Sequence, residues 1–215
     1  GIRITDIVSR RERVETLGET LDDAAGEALD KFGKLLGLPY PAGPEIDRIA
    51  AGGDARRFEL PKGMRGRSDL AMSFSGVKTA GRQLIDALRA DGLVPEEGPL
   101  LADLCASYQA AVVTQLVETT RRAVRSSGLN QLVIAGGVAA NSLLRQRMGA
   151  MCANEGVSFR PVPAGLCTDN GAMIAALGAA ILASRQGDDA HQLDASPTRR
   201  APPANARPKA TRGRV

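Results

Sequence analysis

A short apolar run, Leu132, Val133 and Ile134, passes without a spacer into Gly136 and Gly137, and a helical pattern follows from about Asn141. An apolar β-type run that passes into glycines predicts a short strand over residues 131–135. Strand, glycine turn, helix is also the order in which α/β proteins present ligand sites at strand ends. A second strand is predicted over residues 157–162 and a further helix over 168–184. Strands alternating with helices give an α/β fold class.

Upstream, residues 20–37 carry Ala24, Ala25, Ala28, Leu29, Phe32, Leu35 and Leu36 at steps of three and four, one face of a helix with Thr20 as N-cap and Gly37 as stop. Residues 38–43 read as a loop punctuated by Pro and Gly, and residues 45–51 as a short second helix. Residues 56–74 are broken by Pro61, Gly63 and Gly66, after which Ser75 caps a helix over 76–89. Residues 100–125 hold Leu101, Leu104, Tyr108, Val112 and Leu116, a stripe that predicts a main buried helix. Residues 1–8 alternate around Ile2 and Ile4 as a strand does, and with no initiating Met the expectation is a sequence entered partway through a larger protein.

Composition sets limits on this picture. The 215 residues are 43% hydrophobic and 24% charged, near the averages for globular proteins, so a chain disordered throughout is excluded. Aromatics make up 3% and Trp is absent, so the core must be built from Ala, Leu, Val and Ile. Cys105, Cys152 and Cys167 are odd in number, widely spaced and form no C-x-x-C pair. That pattern speaks against a disulfide framework or a zinc knuckle and points to a reducing, cytoplasmic location. No run approaches the ~20 apolar residues of a membrane span, and no membrane partner is expected. The net charge of +4 and a pI near 9.3 permit a polyanionic partner without requiring one.

Three segments set small residues beside carboxylates or amides. The first runs from Gly18 to Lys31 and resumes at residues 41–47. Its acidic residues could simply favour the positive end of a helix, and Asp30 with Lys34 could be an ordinary i,i+4 pair. Neither explains Gly26, because a mid-helix glycine costs about 1 kcal/mol relative to Ala and marks the close approach of something else. The second segment is Ala135-Gly136-Gly137-Val138-Ala139-Ala140-Asn141, a glycine turn with an amide at a helix start, readable as a plain N-cap or as a nucleotide site. The third, Cys167-Thr168-Asp169-Asn170-Gly171, places Asp169 either as an N-cap or as a hard oxygen ligand.

The order of the stretches LGETLDDAAGEALDKFGKLLGLPYPAGP, SFSGVKT, AGGVAAN and CTDNGAMIA closely resembles the tRNA N6-adenosine threonylcarbamoyltransferase family over about residues 14–178. The resemblance implies the second lobe of an actin-like ATPase (ASKHA) fold, with residues 1–186 forming the C-terminal part of the transferase domain. The implied reaction moves a threonylcarbamoyl group from threonylcarbamoyl-AMP to N6 of the adenosine 3′ of the anticodon in ANN-decoding tRNAs. By the same resemblance Asp30, Gly43 and Asp47 contact the nucleotide's sugar and adjoining groups, Asn141 its adenosine, and Gly136 and Gly137 form a supporting loop. Asp169 would bind an iron or zinc ion. The implied partners are tRNA and the proteins of the t6A-synthesising complex.

The sequence departs from that family in two places. The first lobe's two metal-binding histidines, four residues apart, and its Ser-Gly-Gly-His-Thr loop are absent; His191 is the one histidine and lies near the C-terminal end. Ala42 stands where the family usually has a glycine. An incomplete transferase is therefore expected to be inactive alone, with weak metal binding. A catalytically silent nucleotide- or partner-binding module and an actin-like kinase are the competing readings. H-E-x-x-H metallopeptidase chemistry is excluded by a single histidine. Residues 187–215, rich in Arg and Pro, read as a disordered basic tail, either touching tRNA phosphates or merely solubilising.

Overall fold

The computed structural model describes residues 2–8, 11–63 and 69–184, with the side chains of 15–63 and 69–184 apart from 181 and 184. The predicted basic tail lies outside the described residues. The chain divides into two compact units, residues 17–170 with 1–2, and residues 3–16 with 171–215.

The elements of the larger unit are α1 (Ala25–Leu35), α2 (Ala42–Ala50), α3 (Ser75–Ala90), α4 (Gly98–Ser127), β3 (Gln131–Ile134), α5 (Ser142–Glu155) and β4 (Ser158–Pro161). Two 3-10 turns, Gly137–Ala140 and Ala164–Leu166, follow β3 and β4 respectively. The strands pair in parallel with Gln131 opposite Ser158 and Ile134 opposite Pro161. Parallel neighbours need a crossover, and α5 supplies it, so β3, α5 and β4 form a βαβ unit. The α/β class is thus observed, though most of the mass is helical.

Two hydrophobic clusters meet along α4. The first gathers Leu29 and Phe32 of α1, Ile46 of α2, Val77 and Ile85 of α3, and Leu104, Tyr108 and Val112 of α4. The Phe32 and Tyr108 rings stack with centroids 3.7 Å apart, and a Cβ added at Gly81 would lie 2.9 Å from both. Position 81 therefore excludes any larger side chain unless the rings move. The second cluster sets Val113 and Val117 of α4 against Leu144, Met148 and Met151 of α5, with Ile134 and Phe159 of the strands packed on it. α4 is long and apolar enough by composition to cross a membrane, contrary to the sequence expectation that no stretch is. However, 67% of its apolar window is buried, as suits a core helix. Cys105, Cys152 and Cys167 are all free and buried.

Helix starts are where the structure corrects the sequence reading. α1 begins at Ala25, not at residue 20, because Thr20 forms a parallel bridge with Met72 and its hydroxyl bonds the Asp23 carbonyl at 2.9 Å. α2 begins at Ala42, three residues early, so Gly43 sits in its first turn and not in a loop. α3 begins at Ser75 itself, which is helical and no cap. Asp22 meets the N–H groups at the helix start: Phe74 N donates to Oδ1 at 2.8 Å and Ser75 N to Oδ2 at 3.3 Å. The leading N–H groups of a helix need acceptors, and here a carboxylate distant in sequence meets those of Phe74 and Ser75.

In the smaller unit β1 (Ile2–Val8) and β2 (Arg11–Gly18) form a two-stranded sheet, the second strand unforeseen from the sequence. α6 (Gly171–Ser184) completes it, starting three residues later than expected.

Candidate functional site

The site grows from the junction of α1 and α2. Asp30, in the last turns of α1, turns Oδ1 toward the start of α2, where Ala42 N donates at 2.8 Å and Gly43 N at 3.3 Å. Pro41 precedes the helix and offers no side-chain cap, so Asp30 serves in its place. That use replaces the simple Asp30–Lys34 pairing considered from spacing. Asp30 Oδ2 makes no hydrogen bond among the described residues. A Cβ added at Gly43 would meet nothing within 4 Å, so the backbone there faces open space. Ala42, in contrast, is 2% exposed, and its methyl lies 2.3 Å from where a Gly33 Cβ would be. The departure at position 42 is accommodated by the glycine it faces.

Asp47 lies one helical turn beyond Gly43, on the same face of α2. Its Oδ1 accepts from Gln109 Nε2 at 3.0 Å, Asn141 Nδ2 at 3.1 Å and Ser142 Oγ at 2.8 Å, and its Oδ2 from Ser142 N at 2.9 Å. Asn141 is 8% exposed, and its Oδ1 accepts from Leu144 N at 2.9 Å, so it caps α5 while one Nδ2 hydrogen goes to Asp47. The structure thus brings Asp30, Gly43, Asp47 and Asn141 into one connected array. A cavity of about 370 Å³ borders Asp47, Gln109 and Ser142 on the side toward Gly53 and Gln146.

The turn between β3 and Asn141 explains its glycines. Gly136 has φ of 90°, a conformation that side chains other than glycine's rarely adopt, and at neither Gly136 nor Gly137 would an added Cβ meet an atom within 4 Å. The close approach expected at Gly26 is to this same turn, since a Cβ there would lie 3.2 Å from Val138 Cγ2. Arg145 fastens the turn to the following loops: Nε donates to Ala139 O at 2.7 Å, and Nη2 to Val162 O at 2.5 Å and Cys167 Sγ at 3.2 Å.

Asp169 is exposed and is not joined to the array by a hydrogen bond to Asp30, Asp47 or Asn141 among the described residues. Nor do three His, Cys, Asp or Glu side chains gather into a metal-holding group among the described residues. A firm transition-metal site takes three or more protein donors, so the residues described here do not by themselves fit the iron or zinc that the resemblance implies.

Sequence reading missed Gln109, Ser142, Arg145 and Asp22. Gln109 carried a weak signal, a polar residue in the mostly apolar middle of α4, which it shares with Ser107, Thr114 and Gln115. Asp22 organises the SFSGVKT stretch, taking the Ser73 hydroxyl besides the two N–H groups of α3. Burial pushes its carboxyl up, but the hydroxyls of Ser73 and Ser75 and the N–H groups of Phe74 and Ser75 outweigh that and bring it down to about 2. Beside it, hydrogen bonds from Lys31 and Lys78 lower the Asp23 carboxyl, at 2.8 and 2.5 Å.

Known proteins bear on this geometry in two ways. A solved structure, the crystal structure of T. kodakarensis HypF, superposes with a TM-score of 0.54 at 20% identity over 75% of this chain and 20% of that one, a likeness of fold alone. Proteins named tRNA N6-adenosine threonylcarbamoyltransferase match far more closely in sequence: that of Anaeromyxobacter dehalogenans is 53% identical over 84% of this chain, and that of Sorangium cellulosum 46% over 93%. The Brucella anthropi protein of that name is 46% identical over 87%. The chain spans about half the length of these curated relatives, 53%, 53% and 52% respectively. The family model described as tRNA N6-adenosine threonylcarbamoyltransferase matches residues 5–176, the stretch that holds the whole Asp30–Gly43–Asp47–Asn141 array, and the chain belongs to that family.

Proposed function

We propose that this chain is the C-terminal part, residues 1–186, of an enzyme that transfers a threonylcarbamoyl group from threonylcarbamoyl-AMP to N6 of the adenosine 3′ of the anticodon in ANN-decoding tRNAs. Its fold would be the second lobe of an actin-like pair. The observation that carries this reading is the direct link of Asp47 to Asn141 within a family-matched array. Asp30 Oδ2 is placed to accept from a ribose hydroxyl, Gly43 admits the sugar against bare backbone, and the remaining Nδ2 hydrogen of Asn141 meets the adenine. tRNA and the proteins of a t6A-synthesising complex would be its partners, and the cytoplasm its location. Any iron or zinc would need donors besides Asp169.

One observation favours a second reading, a nucleotide-binding module without catalysis: Asp47 and Asn141 are joined within this chain, whereas no group of three His, Cys, Asp or Glu side chains gathers among the described residues. The test for both is reconstitution. This chain, the separately expressed first half of the Anaeromyxobacter dehalogenans relative, and their mixture are each supplied with threonylcarbamoyl-AMP and an ANN-decoding tRNA. Modified nucleoside from the mixture alone supports the transferase. AMP binding by this chain without any product from the mixture, when the intact relative is active in parallel, supports the module.

A further inference from the structure

We infer that Gln109 is a positioning residue for the nucleotide site, holding Asp47 so that Asp47 in turn aims the Asn141 amide; this rests on the nucleotide reading given above. Gln109 is 3% exposed in the middle of α4, and its Nε2 donates to Asp47 Oδ1 at 3.0 Å. The amide can face only this way, since turning Oε1 toward Asp47 would set an acceptor against a carboxylate, which is also only an acceptor.

That orientation leaves Oε1 buried and without a donor among the described residues. A buried acceptor with no partner is unfavourable, and a Met of similar shape would pack against the same neighbours without it. Packing alone therefore does not account for an amide at this position. What Gln109 contributes is the bond to Asp47.

The bond matters because of what stands on the other side of the carboxylate. Asn141 Oδ1 accepts from Leu144 N and its Nδ2 donates to Asp47, so the planar amide is aimed by these two bonds together and Asp47 is the one of the two anchors on a mobile side chain. Asp47 projects from α2 on two rotatable bonds. Ser142 and Asn141 both hold it from the α5 side, and Gln109 is the one tie from α4, across the junction. Removing that tie lets the carboxylate swing with the α5 cap and blurs the direction of the free Asn141 hydrogen.

The full chain is tested with Gln109→Met, which keeps the shape, and Gln109→Glu, which keeps the shape and replaces the donor by an acceptor. Three quantities are read: thermal midpoint, hydrogen exchange of the Ser142 amide together with the Asn141 side-chain resonance, and affinity for AMP. The expected result is a midpoint kept or raised in the Met variant, while Ser142 exchange quickens on the order of tenfold and AMP affinity falls by a similar factor. The Asn141 resonance moves in both variants. Wild-type exchange at Ser142 and an unmoved Asn141 resonance in either folded variant overturn the proposal. A wild-type chain that does not bind AMP overturns the nucleotide reading instead, and the exchange and resonance data still decide the role of Gln109.

Discussion

Asp47 and Asn141 are 94 positions apart in sequence, and their side chains meet at 3.1 Å. Asp47→Ala would strip the acceptor from Asn141, Ser142 and Gln109 together. Leaving partly buried donors unpaired costs ~2–4 kcal/mol in total, read as a lower urea midpoint at unchanged slope. Asp47→Asn keeps one acceptor oxygen and should cost less. A change below ~0.5 kcal/mol for the Ala variant would show that the array is not holding α2 to α5.

The two glycines facing opposite ways across the α1–α2 junction should respond oppositely to the same methyl. Gly33→Ala forces a Cβ to within 2.3 Å of the Ala42 Cβ and should destabilise by ~1–3 kcal/mol. Gly43→Ala meets nothing within 4 Å, and its helical position should gain up to ~1 kcal/mol in stability. If Gly43 lies against the nucleotide sugar, the more stable variant is the one that loses AMP affinity. Equal affinity in the Gly43→Ala protein would remove position 43 from the site.

Asp22 sets an acid limb to stability. Its carboxyl is depressed when folded, from an ordinary 3.8 to about 2. Its contribution is therefore complete above the higher value and is lost as pH falls through the lower one. Solvent exposure keeps the effect at or below ~1 kcal/mol. Asp23, lowered by Lys31 and Lys78, acts in the same direction. Urea midpoints of wild type and Asp22→Asn should differ at pH 6 and converge toward pH 2. A constant difference across that range would mean that the Asp22 charge does not hold α3.

Metal content provides a fourth check. After equilibrium dialysis against zinc or ferrous iron and a brief chelator wash, this chain should retain far less than one ion per molecule, and Asp169→Ala should make no difference. A chelator-resistant equivalent of metal lost on that substitution would reveal donors beyond those described.

Much of this site was readable in the sequence where its cause is local. The strand, the glycine turn and the Asn141 cap obey short-range rules, and the structure finds all three between Gln131 and Ser142. Gly26 pointed correctly to a close approach, though not to its partner, Val138. The starts of α2 and α3 were misplaced because their caps, Asp30 and Asp22, come from 12 and 52 positions upstream. No window of a dozen residues contains that information. β2 was missed because Arg11–Gly18 is mostly charged and polar, with strand pairing overriding composition. Asp169 was placed by family resemblance, and the described residues gather no set of three metal donors around it.

α4 runs unbroken for 30 residues and lends its first half to one cluster and its second half to the other. An inserted tag or a protease cut near Gln109 would therefore strike both cores and the hydrogen bonds around Asp47 at once, with no seam along which the damage could be confined. The exposed bend of residues 91–94, ahead of the buried Pro95, supplies no residue to either cluster. A label or a new chain end should be tolerated there, which makes that bend the place to open this protein without dismantling it.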